Sequence, residues 1–231
     1  MRKSYLFAPT TQVFIGRQAS RYFRFAVIIL FVTVRHFLAA QNLIPNPSFE
    51  IMNTACSAGN GKIASAPPWE IPPGSITTPD LYNSCKMITC SFDVPNNWVG
   101  VATAFSGNGY SGIFTGNYGL CPNCREYIQV QLTSPLAAST QYFVSLRVLK
   151  PSYIQVASNN LGIYISNGPI SQPGNQPINT VTPQINYTSI IQDSVNWTLV
   201  SGVYTAAGGE NYITIGNFYD DVNTLFFNYT P

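Results

Sequence analysis

Charge is what this 231-residue sequence has least of, with Asp, Glu, Lys and Arg together at 9%. Histidine is rarer still, since His36 stands alone. Downstream of it the chain has no imidazole for a Ser-His-Asp or Cys-His relay, nor for the common His-ligated zinc sites. Long hydrophobic runs are missing too. The longest, Phe25 to Val34, falls short of the roughly 20 apolar residues that span a bilayer. Helical periodicity is absent after that run, and so are clusters of basic residues. An interface for nucleic acid or anionic lipid, which needs such clusters, is therefore excluded.

The first forty residues differ from the rest. Arg2, Lys3, Arg17, Arg21 and Arg24 precede the apolar run, and Phe37-Leu38-Ala39-Ala40 follows it. A basic region, a short apolar stretch and a small-residue exit predict a secretory signal peptide. We place it at residues 1–40, helical in its apolar part, with cleavage after Ala40. Residues 41–231 then keep five cations (Lys62, Lys86, Arg125, Arg147, Lys150) against nine carboxylates, a net charge of −4. The formal +2 of the whole sequence belongs to the leader. Localisation outside the cell, secreted or at the outer surface, is the expectation.

Residues 41–231 are rich in Asn, Thr, Ser, Gly, Pro and Tyr, with enough apolar side chains for a core. Short alternating runs stand between turn signals. Ile128, Val130 and Leu132 read as inward, and Arg125, Tyr127, Gln129 and Gln131 as outward. Tyr142, Val144, Leu146 and Val148 repeat the pattern, with Ser145 and Arg147 opposite. Leu161 to Ser166, Trp197 to Thr205 and Tyr212 to Phe218 are further strands, and Asn42 to Ile51 and Tyr110 to Thr115 are expected to join them. Many short strands with this punctuation predict an all-β fold, a two-sheet jelly-roll sandwich. Two irregular connections, Asn53 to Val99 and Asn167 to Ser194, interrupt it, and the first is long enough to be functional. The chain stops shortly after Thr224, where a jelly roll needs a closing strand, so the module reads as C-terminally truncated.

Cys56, Cys85, Cys90, Cys121 and Cys124 all follow the leader, and export favours disulfides. Five is odd, which leaves one thiol over, and spacing alone does not choose the pairs. Zinc ligation and a thioredoxin-like role for Cys121-Pro-Asn-Cys124 are the weaker readings, the latter because no βαβ pattern surrounds it.

The stretch Asn42-Leu43-Ile44-Pro45-Asn46-Pro47-Ser48-Phe49-Glu50 resembles the opening strand of galactose-binding-like carbohydrate-binding modules. Thr78-Pro79-Asp80-Leu81-Tyr82-Asn83, Val94-Pro95-Asn96-Asn97, Arg125-Glu126-Tyr127-Ile128-Gln129 and Gly208 to Phe218 resemble a module of secreted and outer-surface proteins of gliding, polysaccharide-using Gram-negative bacteria. The likeness runs from Gln41 to Thr224. It implies a jelly roll followed by a last strand, then in some members a peptidoglycan-binding or sorting domain. It also implies that Glu50 helps hold a structural calcium ion. Asp220 and Asp221 would add oxygen ligands if the C-terminus returns to the first strand; the alternative is that this acidic pair caps an exposed turn.

Sugar binding by such modules stacks aromatic rings on sugar faces and bonds the hydroxyls through amides and carboxylates. Trp69, Tyr82, Trp98, Tyr110 and Tyr118 lie in or beside the irregular segments and form the candidate platform. The plainer alternative is that Trp69 and Trp98 pack the long loop onto the sandwich. A glycosidase would need two suitably spaced carboxylates, and nothing in the sequence pairs Asp80, Asp93, Glu126 or Glu210. Glu126 reads instead as a partner for a cation at a sheet edge. The expected function is therefore non-catalytic binding of carbohydrate or cell-envelope glycan. Its rivals are an adhesive envelope domain with a protein partner and, behind it, a glycoside hydrolase fragment.

Overall fold

The computed structural model describes residues 41–85, 91–116 and 121–229. The signal-peptide expectation for residues 1–40, and the expectations placed on Cys90 and Tyr118, lie outside them. Apart from one 3-10 turn at Ile63–Ser65, the regular elements among the described residues are all strands. In chain order they are β1 (Asp80–Asn83), β2 (Asn96–Asn97), β3 (Gly100–Val101), β4 (Gly109–Gly112), β5 (Ile128–Gln131) and β6 (Gln141–Val148). Then follow β7 (Val156–Ser158), β8 (Leu161–Ser166), β9 (Ile185–Tyr187), β10 (Thr198–Thr205), β11 (Tyr212–Asn217) and β12 (Phe226–Asn228). Every strand pairing is antiparallel.

Two of the sheets carry the main core. One is four-stranded in the order β5-β11-β8-β9, and the other is the β6–β10 ribbon. Ile128 and Val130 of β5, Leu161, Ile163 and Ile165 of β8, Ile213 of β11 and Ile185 of β9 are buried together with Val200 of β10. Tyr142, Val144, Leu146 and Val148 of β6 pack against them from the other side. The alternation in β6 therefore reads as expected: these four face the core, while Gln141, Phe143, Ser145 and Arg147 face out. Each fully buried aliphatic side chain here contributes about 1.5–3 kcal/mol to the folded state.

Alternation misleads in β5. Tyr127 and Gln129, expected to point outward, are 0% exposed. Their face is covered by the Pro/Gln/Asn-rich connection, whose Ile170, Ile178 and Val181 pack with Tyr127, Tyr164 and Phe218. The Tyr127 hydroxyl donates to the Asn217 carbonyl (2.5 Å) and accepts from the Ile178 N–H (2.9 Å). Gln129 donates to Glu70 (3.1 Å), which lies in the other long connection.

The segment from Asn42 to Ile51 forms no strand. Pro45 and Pro47 have no N–H to give a ladder, and Asn46 and Phe49 adopt left-handed φ values of 46° and 60°. The Asn46 side chain bonds the backbone of Ile51 and Pro67 instead. Cys56 pairs with Cys85 and Cys121 with Cys124. Beside the second bridge Arg125 is 0% exposed. It forms an ion pair with Asp221 (2.8 Å) and donates to the carbonyls of Tyr219 and Cys124.

Candidate functional site

The β1–β4 ladder sets two tyrosines face to face. Its register places Tyr82 directly opposite Tyr110, and their rings stack at 5.1 Å with 24° between planes. Gly112 makes room for this, because a Cβ there would stand 2.8 Å from the Tyr82 ring. Asp80, two residues before Tyr82 and on the same side of the strand, accepts its phenol O–H (3.0 Å).

From this pair a run of rings extends both ways. On one side Phe92 lies 5.5 Å from Tyr82, and Trp98 lies 6.3 Å beyond Phe92. Trp98 occupies the two-residue loop joining β2 to β3 and is 54% exposed. On the other side Trp197, just before β10, meets Tyr110 edge-on at 5.6 Å, and Phe105 follows at 6.5 Å. Phe105 is 57% exposed, and the Arg147 guanidinium lies 4.8 Å from its ring centre. Polar groups line the run. The Asn97 amide donates to the Tyr110 hydroxyl (2.8 Å), which donates to the Ala102 carbonyl. The Trp197 indole N–H donates to Thr103 (3.0 Å).

Burial sets the ionisation of these groups. It pushes the Tyr82 phenol far up, and the neighbouring Asp80 charge and hydrogen bond push it further. Burial also raises Tyr110. Both therefore stay neutral phenols. The Asp80 carboxyl is raised by burial, against the bonds it receives from Tyr82, Gly61 and Asn60. Glu126 is raised by burial, with the Asp80 charge adding to it against bonds from the Thr78 and Phe114 N–H groups.

Of the predicted platform, Tyr82, Tyr110 and Trp98 come together. Trp69 does not join them: it is 4% exposed in the main core, its ring tilted against Phe49 and its indole N–H donating to the Asn46 carbonyl. Phe92, Phe105 and Trp197 complete the run and were missed by sequence reasoning. Trp197 heads an alternating strand and so reads as core, and only the fold brings the loop holding Phe105 against it. Among the described residues Glu126 partners no cation; its carboxylate ties Thr78 to Phe114. Asp93 caps the Val94 N–H and Glu210 the turn at Ala207 and Gly208.

The proposed calcium ligands have other partners. Glu50 accepts from the Asn108 and Gly109 N–H groups and the Asn108 amide, Asp220 bonds Asn223, and Asp221 pairs with Arg125. Among the described residues no group of three or more His, Cys, Asp or Glu side chains is placed to hold a metal ion. No family model, curated protein or solved structure matches the chain.

Proposed function

We propose that residues 41–231 are an exported, jelly-roll-type module that binds carbohydrate along the Trp98 to Phe105 run of rings, without cleaving it. The observation that carries this is the run itself: six aromatic rings in sequential contact, with solvent-exposed members at both ends. Exposed aromatic rings flanked by amides and carbonyls suit a sugar, which offers an apolar ring face and hydroxyls at its rim. Two disulfides and a basic, apolar leader agree with export to an oxidising compartment. Antiparallel sheets that share one apolar core agree with a jelly roll.

Non-catalytic binding is favoured over hydrolysis because Asp80, Asp93, Glu126 and Glu210 are each taken up in bonds within the fold. A glycosidase needs one carboxyl free to protonate a leaving group and another free to attack or activate water.

A glycan array probed with the mature chain, followed by titration of the best ligand, tests the reading. Trp98→Ala and Phe105→Ala should each weaken binding about tenfold, the worth of roughly 1.4 kcal/mol of lost stacking and burial. Trp69→Phe should leave affinity unchanged. A folded protein with no glycan ligand overturns the proposal.

A further inference from the structure

Among the described residues the outer edge of β6 in the β6–β10 ribbon has no strand paired to it. The Ala206 N–H bonds the Thr140 carbonyl (2.9 Å), which sets the phase of the ladder. Tyr142, Val144, Leu146 and Val148 accordingly exchange bonds with β10, and the backbone groups of Gln141, Phe143, Ser145 and Arg147 point away from it. Among the described residues no other backbone group bonds to those four. Some other edges are met by neighbouring chain. The outer edge of β5 is met by Glu70, and just beyond it Thr133 bonds Leu43. Strand β10 lies against β9, with the Ile185 side chain beneath Gly202.

Exposed edges are normally shortened, bulged, or guarded by lysine and proline. Strand β6 has eight residues, no proline and one charge, Arg147. Its four core-facing side chains are only half-buried, whereas Val200 on the neighbouring strand is 1% exposed. On the outer side Phe143 is 69% exposed. The edge has free bonds, an apolar inner row and an uncovered aromatic ring.

We propose that two copies of the chain pair through β6, antiparallel about a two-fold axis, to form one continuous sheet β10-β6-β6-β10. The strand is complementary to itself. Setting Gln141 opposite Arg147 of the second copy, and Phe143 opposite Ser145, matches all four free residues of each edge. A shift by two residues either way leaves one unmatched. In this register Val144 meets its own copy across the axis, and the half-buried inner row gains cover from an identical row. Phe143 falls diagonal both to its copy and to the second Arg147, within reach of an aromatic side chain. The two arginines stand six residues apart along the strands, about 20 Å, so the only charges on the edge do not oppose each other. An unrelated strand would use the same backbone groups, but nothing on this edge selects one.

Light scattering on size-exclusion fractions across micromolar concentrations tests the pairing. The Cys90→Ser background keeps the odd thiol from linking chains. The expected result is a dimer. Ser145→Pro removes an edge N–H that β10 does not use and should give a folded monomer. Adding Val144→Cys to the background should give an interchain disulfide on mild oxidation, a readout that stands even if the proline variant fails to fold. A monomer at all concentrations, a folded Ser145→Pro dimer, or no Val144→Cys crosslink overturns the proposal. A monomer that instead takes up an extended apolar peptide overturns it too, in favour of a foreign strand.

Discussion

Asn46 holds two stretches of chain with one amide. Its Nδ2 donates to the Ile51 and Pro67 carbonyls, and its Oδ1 accepts from the Ile51 N–H, all at 2.9–3.0 Å. Its φ of 46° suits asparagine better than alanine. At about 1 kcal/mol for each bond, Asn46→Ala should cost about 3 kcal/mol in a urea titration, with no change in slope. Glu210, 3% exposed, gives the pH dependence its sign. Burial raises its carboxyl, but bonds from the Tyr204 hydroxyl and the Ala207 and Gly208 N–H groups outweigh that and hold it below the ordinary range. Its stabilisation is present above the unfolded value of about 4.3 and is lost as pH falls through the lower folded value. Asp80 and Glu126, raised by burial, act in the opposite sense. Their cost is full at neutral pH and is relieved as pH falls through their raised values. Melting temperature should rise slightly on mild acidification and then fall. Glu126→Gln should remove part of the rise, and Glu210→Gln should flatten the fall; superimposable acid limbs for wild type and Glu210→Gln would contradict the assignment.

Elements held by covalent links should differ in how much they depend on them. Cys56 and Cys85 are 29 residues apart, Cys121 and Cys124 only three. The loop-closure relation gives about 3.5 kcal/mol for the first bridge and about 2 kcal/mol for the second. Paired serine substitutions compared by denaturant midpoint should show the first variant as the less stable. Cys85 also follows β1 by two residues, so opening that bridge should loosen Tyr82 and weaken glycan binding, whereas opening the other should not. What the sequence reveals at this scale depends on where an element's cover comes from. Strand β6 was legible because one of its faces meets solvent, so its alternation has one cause. Strand β5 was half legible, since its second face is covered by a connection whose irregular composition gives no sign of where it packs. The opening segment carries the motif of a strand, yet two prolines and two left-handed residues turn it aside. Tyr82 and Tyr110 lie near enough in sequence to be grouped as candidates. Trp197 is 87 residues beyond Tyr110 in the numbering, and only the fold brings it to the same site.

For the whole molecule, the scarcity of charge decides what can hold it together and what it can hold. Five cations and nine carboxylates follow residue 40, so an ion bound by carboxylates must compete with bonds the fold already makes. Asp221 is needed by Arg125, which is 0% exposed, and withdrawing it would leave a buried charge unpaired at a cost of several kcal/mol. Glu50 is needed by the turn that carries Asn108 and Gly109 toward β4. Calcium gathered by Glu50, Asp220 and Asp221 would have to share these carboxylates with their present partners. A ligand that bound the folded state alone would raise its stability by mass action, by about 2.7 kcal/mol at a hundred times its dissociation constant. Millimolar calcium should therefore leave the melting temperature where a chelator leaves it, and glycan affinity should be the same in both. A rise with calcium that Glu50→Gln abolishes would show that these carboxylates exchange their present partners for the ion, and would put a metal beside the Tyr82–Tyr110 ladder.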